Sequence, residues 1–508
     1  MSTQEKYATI KNQEVLLLKH LPVLSYNIYL EVADELLRKP GHHCVSCYAY
    51  PATTGLKMIC CIADDYAHDI KVFSHEMPSD GSKQLASLSK EHPPMHMYER
   101  EMAENFGIEF VDHPWPKPVR YAWNRKDQSK VINNYPFYRI DGEELHEVGV
   151  GPIHAGVIEP GHFRFLCNGE NVLHLEIQLG WQHRGVEALF LQKSNLIQRT
   201  VLSESVAGDT AVGHSLAFVS LMESLGGVKV SERVDTERTI ALELERIAMH
   251  VGDLGNVNVG MAYQLASSVF GTLRTPVINY TQTWCGNRFG KGLNRVGGTH
   301  YPFHKELSEQ LDVLLEKIEN TRVPMADRLF SLPSFLMRSE NIGTVTENQM
   351  KLIGAVGMTA RVASIPSDIR QSHPFAAYKK YAIETQTLEQ GDVWARMMLR
   401  NLEIQDSVRF VRTLSRRIDY TEQPAKPIAE SELKLTPDSF CISLIEGWRG
   451  EISHSAITGS DGSVIHYKVK DPSFHNWLAL ALSLRDLEIS DFPINNKSYN
   501  LSYCGFDL

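Results

Sequence analysis

A chain of 508 residues with 43% hydrophobic residues, 22% charged residues and a formal charge of -10 is expected to fold as two or three globular domains, and it offers no broad basic surface for nucleic acid. The opening stretch, MSTQEKYATIKNQE, lacks the apolar core of a signal peptide, and apolar runs such as Trp477 to Leu484 are far too short to span a bilayer, so any membrane part is expected from a partner. Eight cysteines are too sparse for a disulfide framework and point to reduced thiols.

Residues 45–50 and 56–63 read as strands, joined by a turn over 51–55. Cys44 and Cys47 form a C-x-x-C after His42 and His43. The adjacent Cys60 and Cys61 lack the spacing of a second metal-binding pair, which leaves the thiols as residues of an apolar strand. Glu99, Arg100 and Glu101 form a charged turn, expected on a surface helix, before Phe106-Gly107-Ile108 turns into an apolar strand. Residues 134–150 read as a linker, and the texture changes at Val148. Helical spacing of apolar residues follows over 230–254, 304–321 and 392–418, with glycine-rich loops at 285–298 and 342–357. Residues 440–467 return to strand-like alternation around Asp461-Gly462, a hairpin signal. The class is therefore α+β: a small N-terminal α+β domain over 1–140, then a large, mainly helical domain with small β-sheets over 148–508. Neither G-x-G-x-x-G after a strand nor G-x-x-x-x-G-K-[ST] occurs, so NAD is not expected on this chain.

The string from Tyr98 to Pro114, with Glu99-Arg100-Glu101, Phe106-Gly107-Ile108 and His113-Pro114, resembles the signature of the 30-kDa subunit of complex I. From Val148 the chain resembles the 49-kDa subunit of complex I and the large subunit of energy-converting nickel–iron hydrogenases. The matching motifs run in family order: Gly151-Pro152-Ile153-His154, Glu159-Pro160-Gly161-His162, His183-Arg184-Gly185-Val186-Glu187, Glu243-Leu244-Glu245-Arg246-Ile247, Asp368-Ile369-Arg370, Gly391-Asp392, Arg449-Gly450-Glu451 and Pro472-Ser473-Phe474. The resemblance implies a fused 30-kDa and 49-kDa architecture, the second part with the hydrogenase large-subunit fold.

The resemblance also locates a departure. Hydrogenases of this family hold nickel and iron through two C-x-x-C pairs, because soft thiolates suit that metal. Here Ala207 and Thr210 stand at the first pair and Ser502 and Gly505 at the second, with Cys504 one position out of register. No nickel–iron centre and no hydrogen turnover are expected. In the complex I branch the vacated pocket takes quinone. His154 matches its histidine, but Ser205 stands where its tyrosine would be. The family places His183, Arg184 and Glu187 at a subunit interface near an iron–sulfur cluster, against the plainer reading of a structural charge network. Asp368 and Arg370 are candidates for proton relay in the pocket or, more simply, an internal ion pair. His214 and His250 are expected to be satisfied core histidines, and Asp209 to accept backbone N–H bonds.

The implied function is that of a peripheral subunit of a membrane-bound complex I-like or hydrogenase-related oxidoreductase on the cytoplasmic face of the inner membrane. It would couple electron transfer, with quinone as the candidate acceptor, to ion translocation. The implied partners are an iron–sulfur small subunit, which would carry the cluster, and membrane-embedded ion-translocating subunits; NAD would bind elsewhere in the complex. The alternative is a redox-inert scaffold holding the small subunit to the membrane arm.

Overall fold

The computed structural model describes residues 6–79, 83–154 and 158–508. An α+β fold results, with 43% helix and 19% strand. In the N-terminal part the strands His42–Ala52, Gly55–Asp64 and Asp69–Pro78 form an antiparallel meander, extended by Ala8–Ile10 and Val23–Leu24. Residues 42–52 read as nearly continuous apolar sequence because both faces of the sheet are covered. One face, with Met58, Cys60 and Ile62, packs under the Tyr26–Leu37 helix. The other, with Tyr48, Ile59 and Cys61, meets the second domain. A β-bulge between Cys44 and Ser46 turns Cys44 and Cys47 to the same face, beside Cys60.

The second domain is built around the Glu232–Gly260 helix, capped at its start by the Ser231 hydroxyl accepting from Val234 N. The helices Gln264–Cys285 and Val393–Ser415 pack against it, so it is buried on almost every side, charged residues included. The strands Ser439–Glu446, Glu451–Thr458 and Val464–Lys470 form a sheet whose fourth strand is Val15–Leu17 from the N-terminal part, with Phe440 opposite Leu16. This sheet thus joins residues from both sides of the sequence boundary near residue 140.

Several local expectations change. Glu99, Arg100 and Glu101 are buried rather than on a surface helix. Each has partners: Glu99 accepts from Ser87 Oγ and Leu88 N, Arg100 donates to the carbonyls of Lys117 and Pro118, and Glu101 pairs with Arg120 and Lys468. The linker ends in a strand, Leu145–Val150, paired with His162–Asn168. The 342–357 loop contains the helix Glu347–Ile353, closed by a Thr346/Gln349 capping box at one end and left-handed Gly354 at the other. The 304–321 helix runs on through Pro324 to Phe330. Gly450 (φ +137°) touches Gly357 so closely that a Cβ on it would lie 2.7 Å from the Gly357 Cα.

Candidate functional site

Two segments far apart in sequence meet at one place. The first, 204–210, links the helices Leu196–Ser203 and Ala211–Leu225; the second, 500–502, links Phe492–Tyr499 to Tyr503–Asp507. Arg184 ties them together. Its guanidinium donates to the carbonyls of Ser205 (2.6 Å), Val206 (2.9 Å) and Cys504 (2.9 Å). Arg449 ties them a second time. It forms a fork-to-fork pair with Asp209 at 2.7 and 2.8 Å, contacts Thr210 Oγ1 at 3.2 Å, and donates through Nε to the Asn500 carbonyl at 2.5 Å. It lies over the Trp448 ring, and Trp448 Nε1 donates to the Asp209 carbonyl. Asp209 thus binds a guanidinium, not the backbone N–H groups expected of it.

The four positions where the resemblance puts thiolates offer little to a metal. Ala207 is buried and has no donor atom. The Thr210 hydroxyl donates to Asp209, and Ser502 Oγ accepts from Gly505 N as the cap of the last helix. A Cβ on Gly505 would lie 2.6 Å from the Asp471 carboxyl, so Asp471 occupies the space a side chain there would need. Cys504 is a nearby thiol. Burial, with Glu159 beside it, pushes its pKa up to about 11, which keeps it protonated at neutral pH. This donor set does not fit a nickel–iron centre. Asp471 also accepts from His214 Nε2 (3.1 Å), whose Nδ1 meets His454 Nε2 (3.0 Å), so His214 is a core histidine bonded on both sides.

Residues 27–127 match the family described as the 30 Kd subunit of respiratory-chain NADH dehydrogenase, and residues 266–439 match the 49 Kd subunit of the same enzyme. One polypeptide carries both domains. Curated relatives extend the likeness across most of the chain. It is 26% identical to hydrogenase-4 component G of Escherichia coli K12, covering 81% of this chain and 74% of that one. It is 28% identical to formate hydrogenlyase subunit 5 of the same organism, over 71% of this chain and 63% of the relative. To NADH-quinone oxidoreductase subunit 4 of Thermus thermophilus it is 24% identical, over 68% and 90%.

Within the 49-kDa-type part the remaining candidates fall into separate groups. His154 Nε2 donates to the Gly161 carbonyl at 2.9 Å. Gly161 in turn abuts Tyr503, which brings this turn against the second segment. His183 Nδ1 donates to the Asp507 carbonyl at 2.8 Å, while its buried Nε2, Trp181 Nε1 and Gln182 Oε1 have no hydrogen-bond partner among the described residues. Glu187 accepts from Val469 N and pairs with Lys468, so it faces inward. Asp368 is chelated by Arg370 in a buried cluster away from the two segments. Among the described residues no helix is long and apolar enough to cross a membrane.

Sequence reading passed over Glu245. Its carboxyl accepts from Val212 N (2.8 Å) and Gly213 N (3.2 Å) at the start of the Ala211–Leu225 helix, one turn from Asp209. Burial foremost, with the Asp209 charge adding, pushes it up to about 8. A raised folded-state pKa means that between about 4.5 and 8 the unfolded chain has released a proton the folded chain still holds, so stability falls as pH rises through that interval. Glu245→Gln is therefore expected to gain thermal stability relative to wild type on going from pH 5 to pH 8. Parallel melting curves for the two proteins across that range would refute this assignment.

Proposed function

We propose that the chain is a peripheral subunit of a membrane-bound oxidoreductase of the complex I and energy-converting hydrogenase kind, working on the cytoplasmic face of the inner membrane without a nickel–iron centre. The observation that carries this is the Arg449–Asp209 pair. A guanidinium and a carboxylate bridge the two segments that a metal would otherwise bridge, and Asp471 fills the side-chain space at position 505. An internal ion pair keeps the fold and the docking faces intact without the metal. Nickel analysis of the purified protein is expected to find none; stoichiometric nickel would overturn the reading.

The partner that fits is an iron–sulfur small subunit. Arg184 is exposed and lies in a stripe of exposed apolar residues: Trp123, against Gly185, then Val201 and Ile197 along one face of the 196–203 helix. The unpartnered polar atoms of 181–183 lie beside it. An apolar strip beside unsatisfied buried donors and acceptors supports docking of a partner over this surface. Ile197→Asp with Val201→Asp is expected to abolish co-purification of a cluster-bearing subunit while leaving the melting temperature of the chain within about 2 °C. Wild-type chain that purifies alone from its native membranes, with no cluster-bearing or membrane subunit, would count decisively against the proposal.

For the acceptor, His154 is the candidate contact to a quinone head group. Its Nε2–H is committed to Gly161, so Nδ1 is the nitrogen a quinone would meet. The scaffold reading has one observation in its favour. Ser205, at the tyrosine position, donates back to the Val201 carbonyl of the preceding helix (3.1 Å), which commits its hydroxyl. A quinone analogue that shields His154 from chemical labelling would favour electron transfer, and the absence of shielding would favour the scaffold.

A further inference from the structure

Between the 232–260 and 393–415 helices lies a buried charged cluster that takes Glu243, Arg246, Asp368 and Arg370 from the motifs and three further residues from outside them. Four carboxylates, Glu243, Asp368, Glu403 and Glu446, meet three guanidiniums, Arg246, Arg361 and Arg370, and none of the seven is more than 3% exposed. Flanking charges cancel separately: Arg400 pairs with Asp253 at 2.8 Å, and Arg396 lies within the field of Asp392. Four acids against three bases leave one negative charge without a counterion, in a medium that strongly disfavours it.

His250 does not supply the missing positive charge. Its Nε2 bonds Glu403 Oε2 at 2.7 Å, and its Nδ1 is buried with no partner among the described residues. A proton there would have no acceptor, and burial holds the ring neutral.

The surplus is then settled by which carboxylate is least well supplied with donors. Glu243 takes Arg246, Arg370 and the hydroxyls of Tyr378 and Ser407. Asp368 takes Arg370 side chain and backbone and the Thr385 hydroxyl. Glu403 takes Arg361, Arg246 and His250. Among the described residues Glu446 takes only Arg361 Nη1 (2.7 Å) and Ile369 N (3.2 Å).

We propose that this cluster is a proton-holding site, with one exchangeable proton on the Glu446 carboxyl. Burial first, and the neighbouring Asp368 charge after the opposing pull of Arg361, place its titration at about 7. In the step itself the Glu446 O–H bond breaks, the proton passes to water, and the carboxylate remains; no electron moves. Glu446 begins the stretch Glu446-Gly447-Trp448-Arg449 that ends on the Arg449–Asp209 pair, so a charge change at either end acts on the same short segment. That link to coupling rests on the function proposed above; the proton does not.

Infrared difference spectra of the full chain between about pH 6 and pH 9 test it. Wild type should lose carbonyl-band intensity from protonated carboxylic acids, Glu446 and Glu245 among them, with Asp235 and Asp507, both raised to about 6, contributing at the acidic end. Glu446→Gln should remove one component, centred at about 7, and Glu245→Gln a separate one, centred at about 8. Glutamine copies the shape of the protonated acid, so folding is expected. Asp368→Asn is a second arm: removing the adjacent negative charge should move the Glu446 component to lower pH. A band unchanged in Glu446→Gln, or insensitive to Asp368→Asn, overturns the proposal. Failure of the subunit reading would show separately, as loss of partners with the band intact.

Discussion

Arg361→Met is expected to be the most damaging single substitution in the chain. Arg361 is fully buried and holds two carboxylates at once, Glu403 through Nε and Nη2 and Glu446 through Nη1, with a further bond to the Ser367 carbonyl. Methionine keeps the bulk but leaves Glu403 short of its main counterion. Removing one member of a buried ion network typically costs about 3–5 kcal/mol, because the partner charge is left desolvated and unmatched. At a few degrees per kcal/mol that is a fall of roughly 10 °C in melting temperature, or failure to accumulate as folded protein. Adding Glu403→Gln removes the stranded charge and should recover part of the loss, since neighbouring substitutions are not additive. A melting temperature within about 2 °C of wild type would show that the cluster carries little net energy.

The second large effect is expected at Glu451, the last residue of the Arg449-Gly450-Glu451 motif. It is fully buried and takes Lys470 Nζ at 2.5 Å and His43 Nε2 at 2.7 Å, and His43 also faces Asp65 at 3.5 Å. This network crosses from the 49-kDa-type part to the 30-kDa-type sheet. Glu451→Gln leaves the buried Lys470 ammonium without its anion, at a cost of roughly 3 kcal/mol. The pH dependence has a defined sign. Burial alone would raise Glu451, but Lys470 and His43 outweigh it and hold it well below the usual carboxylate range. Its contribution is present above that range and is lost as pH falls through the folded value. Burial alone would lower His43, but Asp65 and Glu451 outweigh it and raise it well above 6.5. Its contribution is complete below 6.5 and is lost as pH rises through that raised value. Wild type should therefore be most stable between the two limits, and in Glu451→Gln the alkaline decline should be smaller and end at lower pH, because His43 is raised less. Melting temperatures measured across pH for both proteins decide this, and superimposable alkaline limbs would rule out the His43 contribution.

Much of the fold was legible because it depends on local periodicity. The first two strands of the meander, the helices over 232–260 and 393–415 and the turn at Asp461-Gly462 follow from apolar spacing and turn chemistry, while the third strand, Asp69–Pro78, was not read. The helix past Pro324 and the short helix at 347–353 were hidden, since proline and glycine read as breaks whenever tertiary contacts that override them are out of view. Burial of Glu99, Arg100 and Glu101 was hidden for a related reason. A charged turn reads as surface until its partners, Lys468 among them, arrive from more than 350 positions away.

The sequence by itself determined the class, the order of the motifs and the absence of thiols at Ala207, Thr210, Ser502 and Gly505, because these are properties of residue identity and spacing. Only the tertiary structure decided what took their place. Asp209 meets Arg449 across 240 positions, Asp471 fills the space at Gly505, and four buried acids share three arginines. Charge compensation is set by distance and burial in three dimensions, and neither can be read from the order of residues along the chain.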